Sequence, residues 1–311
     1  MTNVQQDVVY IPIRNGKFEY ELNCDYEEMY KLIFLDEFQS AMWNPVKFFS
    51  EKGTINFTFY PMDENEQNQI KGGIHNTEYY AFSKDVQALD KEDERISQKT
   101  DSMQLQYITE HQTLVGYAIL LEKIWAAIYY YPHYSREFDI TPFVETYNTV
   151  YVPKFPEHPY TEQIQLLINS AESIKVGGQY IDFEVPDLEG NVVKLSEQIQ
   201  GKMALIHFWA TWCGACRQNG KVLIPVYEAY KDKGFTVVGI ARATTAVKAA
   251  IEKDKYPWLN LVDMNDKENI WIKYELGNAG GGEFLVDENG VILAIGPTVE
   301  EVEKILKKRL K

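Results

Sequence analysis

Hydrophobic and polar positions change rhythm along the chain. Up to about residue 73 the apolar positions fall in short β-rich runs. These are Val8-Val9-Tyr10-Ile11, Phe18-Glu19-Tyr20-Glu21-Leu22 and Ile55-Asn56-Phe57-Thr58-Phe59-Tyr60, the last two alternating clearly. Turn-forming residues separate them at Arg14-Asn15-Gly16-Lys17, Asn44-Pro45 and Lys52-Gly53. The pattern predicts a small antiparallel β domain over 1–75, closing near Gly72-Gly73. From about residue 77 the spacing lengthens. Phe82, Val86, Leu89, Asp93, Ile96, Thr100 and Met103 step by three and four, as one helical stripe does. A second helix is expected from Gln104 to Tyr131, ended by Pro132, and another opens at Thr141-Pro142 with Thr141 as its N-cap. The Pro-rich stretch Tyr151–Pro159 leads to a helix over 161–173. Residues 76–174 therefore read as a helical segment packing with the N-terminal domain, and Gly177-Gly178 marks the start of a different unit, 175–311.

In that last unit the order is regular. Two β-rich runs bracket Asp187-Leu188-Glu189-Gly190, a hairpin signal. Met203–Ala210 is continuously apolar except for His207, as a strand buried on both faces should be. A helix follows to about Lys231, then strand 235–241, helix 245–253, strand 259–263 and helix 268–276, with Asn265 and Glu268 at capping-box spacing. Strands 283–286 and 291–295 flank Asp287-Glu288-Asn289-Gly290, and a final helix opens on a second capping box, Thr298 with Glu301. Strands alternating with helices predict an α/β fold, a central mixed sheet with helices on both faces.

Composition narrows the function classes. A chain of 311 residues, 45% hydrophobic and 25% charged, suits about two globular domains and excludes wholesale disorder. The longest apolar run, Leu114–Leu121, is far short of the roughly 18 residues of a membrane span. Nearly all of the net charge of −15 lies in residues 1–172 and reads as a solvated, acidic surface. No concentrated basic face exists, so nucleic acid is not expected as a partner. Residues 1–7 lack a charged n-region and an apolar h-region, which taken literally means no export signal and a cytoplasmic chain.

The cysteines carry the chemistry. Cys24, beside Asp25, Glu27 and Glu28, reads as structural or incidental. Cys213 and Cys216 form a C-x-x-C between a buried strand and a helix, in Phe208-Trp209-Ala210-Thr211-Trp212-Cys213-Gly214-Ala215-Cys216. At a helix N-terminus the free N–H groups and the macrodipole favour an anion, so Cys213 is expected to be a reactive thiolate. Cys216, one turn along and more buried, is placed to resolve a mixed disulfide, and Arg217 adds a neighbouring cation. Half a zinc site is a poor reading because the remaining ligands are missing. A buried structural cysteine pair is the other bland reading, and the strand-to-helix junction argues against it. The aromatic cluster Trp125, Tyr129, Tyr130, Tyr131 and Tyr134 reads as core or domain interface.

This run, with the preceding hairpin and the later Phe284-Leu285-Val286-Asp287-Glu288-Asn289-Gly290, resembles the TlpA/ResA-like branch of the thioredoxin superfamily over about 175–311. More loosely, the β-rich segment ending in Ile70-Lys71-Gly72-Gly73 and its following helices are similar to the accessory domain of two-domain envelope members. The resemblance implies a thioredoxin-like fold and a thiol–disulfide oxidoreductase of the periplasm or cell envelope of a Gram-negative bacterium. It implies Cys213 as attacking and Cys216 as resolving cysteine, with no cofactor beyond their redox-active disulfide and no metal. Its partners would be protein thiols or disulfides and a separate redox donor or acceptor, with the N-terminal region serving partner binding or dimerisation. Partner chains would dock beside Trp212, Gly214, Ala215, Gly281 and Gly282.

Two positions depart from the family pattern. Where an acidic or amide residue usually precedes the Phe-Trp pair stands His207, an imidazole able to accept or relay the Cys216 proton. Where a cis-proline usually stands, three residues before Phe284, is Gly281, so the loop is expected to be trans and flexible. The direction of electron flow is open, since C-x-x-C proteins span about −270 to −120 mV. Two other readings differ in class: a peroxiredoxin-like peroxidase, and a non-catalytic envelope binding protein with a degenerate thioredoxin domain.

Overall fold

The computed structural model describes residues 9–39, 45–89, 93, 95–129, 138–242, 246–263, 267–277 and 279–310. The elements run β1 (Met29–Leu32), α1 (Leu35–Gln39), β2 (Val46–Phe49), β3 (Asn56–Thr58), β4 (Gln69–Lys71), α2 (Ile74–Gln87), α3 (Ile96–His111) and α4 (Leu114–Tyr129). There follow α5 (Thr141–Thr146), α6 (Val152–Lys154) and α7 (Pro159–Ser173). The remainder is β5 (Glu184–Pro186), β6 (Val192–Lys194), α8 (Leu195–Ile199), β7 (Met203–Ala210), α9 (Gly214–Tyr230), β8 (Phe235–Arg242), α10 (Val247–Asp254), β9 (Leu259–Asp263), α11 (Ile270–Lys273), β10 (Gly282–Val286), β11 (Ile292–Ile295) and α12 (Val299–Arg309). By internal contacts the described residues fall into two compact units, 9–127 with 138–164, and 128–129 with 165–310.

The first unit departs from its sequence pattern in instructive ways. Of the three strands expected, only β3 forms, and it pairs antiparallel with β4, while β1 pairs antiparallel with β2. Over residues 9–22 the Asn15-Gly16 turn closes as anticipated, both residues at positive φ (50° and 72°), yet only the Arg14–Lys17 bridge follows from it. Val9, Tyr10, Ile13 and Tyr20 stay exposed. Alternation without a buried face has no packing energy to hold a ladder. The stripe from Phe82 to Met103 is two helices. α2 ends at Gln87, and the Asp93 side chain, accepting the Arg95 N–H at 2.8 Å, precedes α3. The helix expected over 104–131 breaks at Gln112 (φ 24°), where the Thr113 hydroxyl accepts the Gly116 N–H and starts α4 anew. Pro142 sits inside α5 as expected, but the residue before the helix is Ile140, with Asp139 accepting the Thr141 N–H. Tyr130, Tyr131, Pro132 and Tyr134 lie outside the described residues.

The second unit follows its pattern closely. The five-stranded sheet has the order β11-β10-β7-β8-β9, with β7, β8 and β9 parallel and β10 and β11 antiparallel. Every residue of β7 is buried, as a run apolar in all but His207 requires. Its odd positions Met203, Leu205 and Trp209 pack with Leu223 and Val226 of α9, Val247 of α10 and Val302 and Leu306 of α12. Its even positions Ala204, Ile206 and Phe208 pack on the other face with Leu195 and Ile199 of α8 and Ile270 and Trp271 of α11. Both hairpin turns use one device. Asp187 and Asp287 each accept two backbone N–H groups of their own turn, and Gly190 and Gly290 take the positive φ that closes it. The Thr298–Glu301 capping box forms as predicted. α11 is shorter than the expected 268–276. It ends as Glu275 turns to φ 56°, and Asn265 of the expected cap lies outside the described residues.

Candidate active site

β7 delivers the chain through Thr211-Trp212 to Cys213, the N-cap of α9, whose sulfur accepts the Cys216 N–H at 3.2 Å. One helical turn brings the two cysteines together, and they are joined as a disulfide with their Cα atoms 5.4 Å apart. The pair is asymmetric. Cys216 is 9% exposed and packed in the core with Leu223 and Trp209, whereas Cys213 is half-buried. Around Cys213, Trp212 is 61% exposed, and Gly214 and Ala215 are exposed too. An exposed helix N-terminus holding one accessible sulfur, with a second buried behind it, is the geometry of dithiol–disulfide exchange.

The glycine loop before β10 completes the rim. Gly280 is the residue that faces the disulfide, for a Cβ there would stand 2.7 Å from Cys213 Cβ and 2.8 Å from its sulfur. The residues expected at this rim, Gly281 and Gly282, are turned differently. A side chain at 281 would meet the Phe208 carbonyl oxygen at 1.9 Å, and one at 282 would meet Leu276. Gly282 already pairs with Phe208 in the β10–β7 ladder, so the loop approaches the disulfide through Gly280. Described peptide bonds are all trans.

Arg217 does not act as a free cation beside the disulfide. Its guanidinium donates to Asp254 at 2.6 and 3.0 Å, and Lys221 reaches the same carboxylate at 3.0 Å. The Asp254 side chain has no solvent exposure. Burial pushes its carboxyl up, but the hydrogen bonds from Arg217 and Lys221 outweigh this and hold it below the usual carboxylate range. Tyr256 joins the cluster by donating to the Arg217 carbonyl at 3.1 Å, and its ring packs on α9 where only Gly220 leaves room. Asp254 was not singled out from sequence. It is the last residue of a helix, and nothing nearby in the chain marks it.

His207 is buried in β7, flanked edge-on by Tyr256 and Trp258 and 3.3 Å from Glu283 of β10 through Nδ1. Cys24 is a free, exposed cysteine in the other unit. Tyr129, a described member of the aromatic cluster, lies within the second unit, is buried and donates to the Ile272 carbonyl at 3.0 Å. Among the described residues no group of His, Cys, Asp or Glu is arranged to hold a metal ion, and no helix is long and apolar enough to cross a membrane.

The second unit is a thioredoxin-like domain carrying a dithiol site. Residues 176–295 match the AhpC/TSA family, and residues 2–79 match a domain of unknown function, DUF4369. Thiol-disulfide oxidoreductase ResA of Bacillus cereus is 30% identical over 142 residues, covering 44% of this chain and 80% of that protein. Thioredoxin-like protein YneN of Bacillus subtilis is 32% identical over 124 residues, 38% of this chain and 69% of that one. Among solved structures, the thioredoxin domain of a thiol-disulfide oxidoreductase from Bacteroides vulgatus matches at 30% identity, covering 45% of this chain and 100% of that chain, with a TM-score of 0.41. The chain belongs to the ResA/TlpA-like thiol-disulfide oxidoreductases of the thioredoxin superfamily.

Proposed function

We propose that the protein exchanges disulfides with protein partners outside the cytoplasm, Cys213 attacking and Cys216 resolving. The observation that carries this reading is the asymmetry of the pair: one sulfur half-exposed at the N-terminus of α9, the other buried behind it. In the reduced state the helix N-terminus favours the Cys213 thiolate, which attacks a partner disulfide and forms a mixed disulfide. Cys216 then displaces the partner and restores the bond between the two cysteines. Exposed Trp212, Gly214 and Ala215 and the Gly280–Gly282 backbone offer the edge on which an extended partner segment lies. His207 takes the Cys216 proton on this reading, and the N-terminal region serves partner binding or dimerisation. The first 75 residues, the helical stretch to 174 and the thioredoxin-like remainder are the segments to separate in testing that division of labour.

Trapping tests it directly. In Cys216→Ser the mixed disulfide persists, so partners from an envelope fraction stay bound to the chain and are released by reductant. Insulin reduction driven by a dithiol is expected to fall to background in Cys213→Ser. Equal rates in wild type and Cys213→Ser refute the reading, and trapped partners drawn only from the cytosolic fraction refute the location.

A further inference from the structure

A row of positions crosses the sheet beneath α9. The ladder sets Glu283 of β10 opposite His207 of β7, His207 beside Gly239 of β8, and Gly239 beside Asn260 of β9. His207 has no solvent exposure, and its alternate neighbours Leu205 and Trp209 belong to the cluster that holds Cys216, so its ring lies on that same face. Neither ring nitrogen has a hydrogen-bond partner among the described residues. The Nδ1 approach to Glu283 Oε1 is an ion-pair distance off hydrogen-bond alignment. Glu283 is itself only 15% exposed, and the same oxygen accepts Asn219 Nδ2 at 3.3 Å. Asn219 is exposed and lies three residues beyond Cys216 on α9.

A buried imidazole cannot take up a proton cheaply unless an opposite charge lies beside it. Glu283 places a carboxylate 3.3 Å from His207, and through its contact with exposed Asn219 it links that ring to the surface. Among the described residues, Tyr256 after α10 meets the ring edge-on, and Cys216 at the head of α9 belongs to the cluster on the same face. Behind Tyr256, Arg217 and Lys221 share the single Asp254 carboxylate, a cluster that keeps one net positive charge. Gly239 and Asn260 contribute no charge from β8 and β9.

We propose that Glu283 is a positioning residue for the resolving step, holding His207 as the proton acceptor for Cys216. This rests on the dithiol-exchange reading above. The Cys216 thiol gives its proton to the neutral imidazole, and the Cys216 sulfur attacks the Cys213 sulfur of the mixed disulfide. The Cys213–Cys216 bond forms and the Cys213–partner bond breaks. The partner leaves as a thiolate with the electron pair and takes a proton from water. The two cysteines are thereby oxidised by two electrons and the partner disulfide is reduced. The imidazolium returns its proton to water at the Asn219 rim.

The probe is 5,5′-dithiobis(2-nitrobenzoate) added to the reduced full chain carrying Cys24→Ser, with thionitrobenzoate release followed by stopped flow from pH 4 to 9. A first release reports attack by Cys213 and a second reports resolution by Cys216. Glu283→Gln is expected to leave the first unchanged, slow the second about tenfold at neutral pH, and move its pH midpoint down by about one unit. In a His207→Asn background the same substitution is expected to change nothing further. An unchanged second release in Glu283→Gln, or an equal loss with and without His207, overturns the inference. Absence of the first release from the parent chain instead sinks the dithiol reading. Should Glu283→Gln not fold, the surface substitution Asn219→Asp brings a second negative charge to the pair. It is expected to move the midpoint upward, and an unmoved midpoint refutes the role of Glu283.

Discussion

Replacing Asp254 by alanine removes a carboxylate with no side-chain exposure and strands two cations at the side of α9. Arg217 loses bonds of 2.6 and 3.0 Å, and Lys221 loses one of 3.0 Å. Taking away one partner of a fully buried pair costs about 3–5 kcal/mol. Arg217 and Lys221 are 22% and 43% exposed and recover water, which lowers the expected loss to about 2–3 kcal/mol. In a unit of this size that corresponds to a fall in Tm of about 5–10 °C. The assay is thermal and urea unfolding of the oxidised protein, repeated across pH. The hydrogen bonds hold the Asp254 carboxyl below its ordinary range. Its stabilisation is therefore fully present above the unfolded-state value of about 3.9 and is lost as pH falls through the lower folded-state value. The gap between wild type and Asp254→Ala should be widest at neutral pH and shrink in strong acid. A loss below about 0.5 kcal/mol at pH 7, or a gap as large in strong acid as at neutrality, refutes the reasoning.

Gly281→Ala places a methyl 1.9 Å from the Phe208 carbonyl oxygen, which cannot yield without parting β10 from β7, so a loss of about 2–4 kcal/mol is expected in urea unfolding. Burial pushes the Glu275 carboxyl up to about 7. Its charged form penalises the fold increasingly as pH rises from the unfolded-state value through the folded one, so Glu275→Gln should gain up to roughly 3 kcal/mol over wild type at pH 8 and nothing near pH 4. Iodoacetamide on the unreduced native chain should modify Cys24 alone, since the other two cysteines are joined. After mild reduction Cys213 should react before buried Cys216, as peptide mass mapping will read.

Elements whose cause is local were legible in the sequence. β7, the C-x-x-C at the head of α9, both Asp-to-Gly hairpins and the Thr298 capping box depend on residues a few positions apart, and all stand where the pattern put them. α9 even continues through Pro225 as the pattern required, because its apolar face docks on the sheet. Within the N-terminal unit the strands suggested over residues 9–22 do not form, because alternation describes a strand only when something covers one face. The helical stripe failed for a related reason, since spacing persists across a break that a side-chain turn at Asp93 or Thr113 imposes.

What the amino-acid order determined by itself is the chemistry: which sulfurs meet, which of them caps a helix, and that a thioredoxin-like sheet supports them. One helical turn settles the first two; an apolar run broken only by His207 marks the buried strand, and the resemblance of the Phe208–Cys216 motif supplies the third. The surroundings of the disulfide were decided only by the tertiary structure. Glu283 meets His207 across a strand ladder, Asp254 meets Arg217 across two helices, and Gly280 meets Cys213 from a loop far along the chain. Such encounters follow from register and packing, which pairs of residues distant in sequence acquire only when the sheet is assembled.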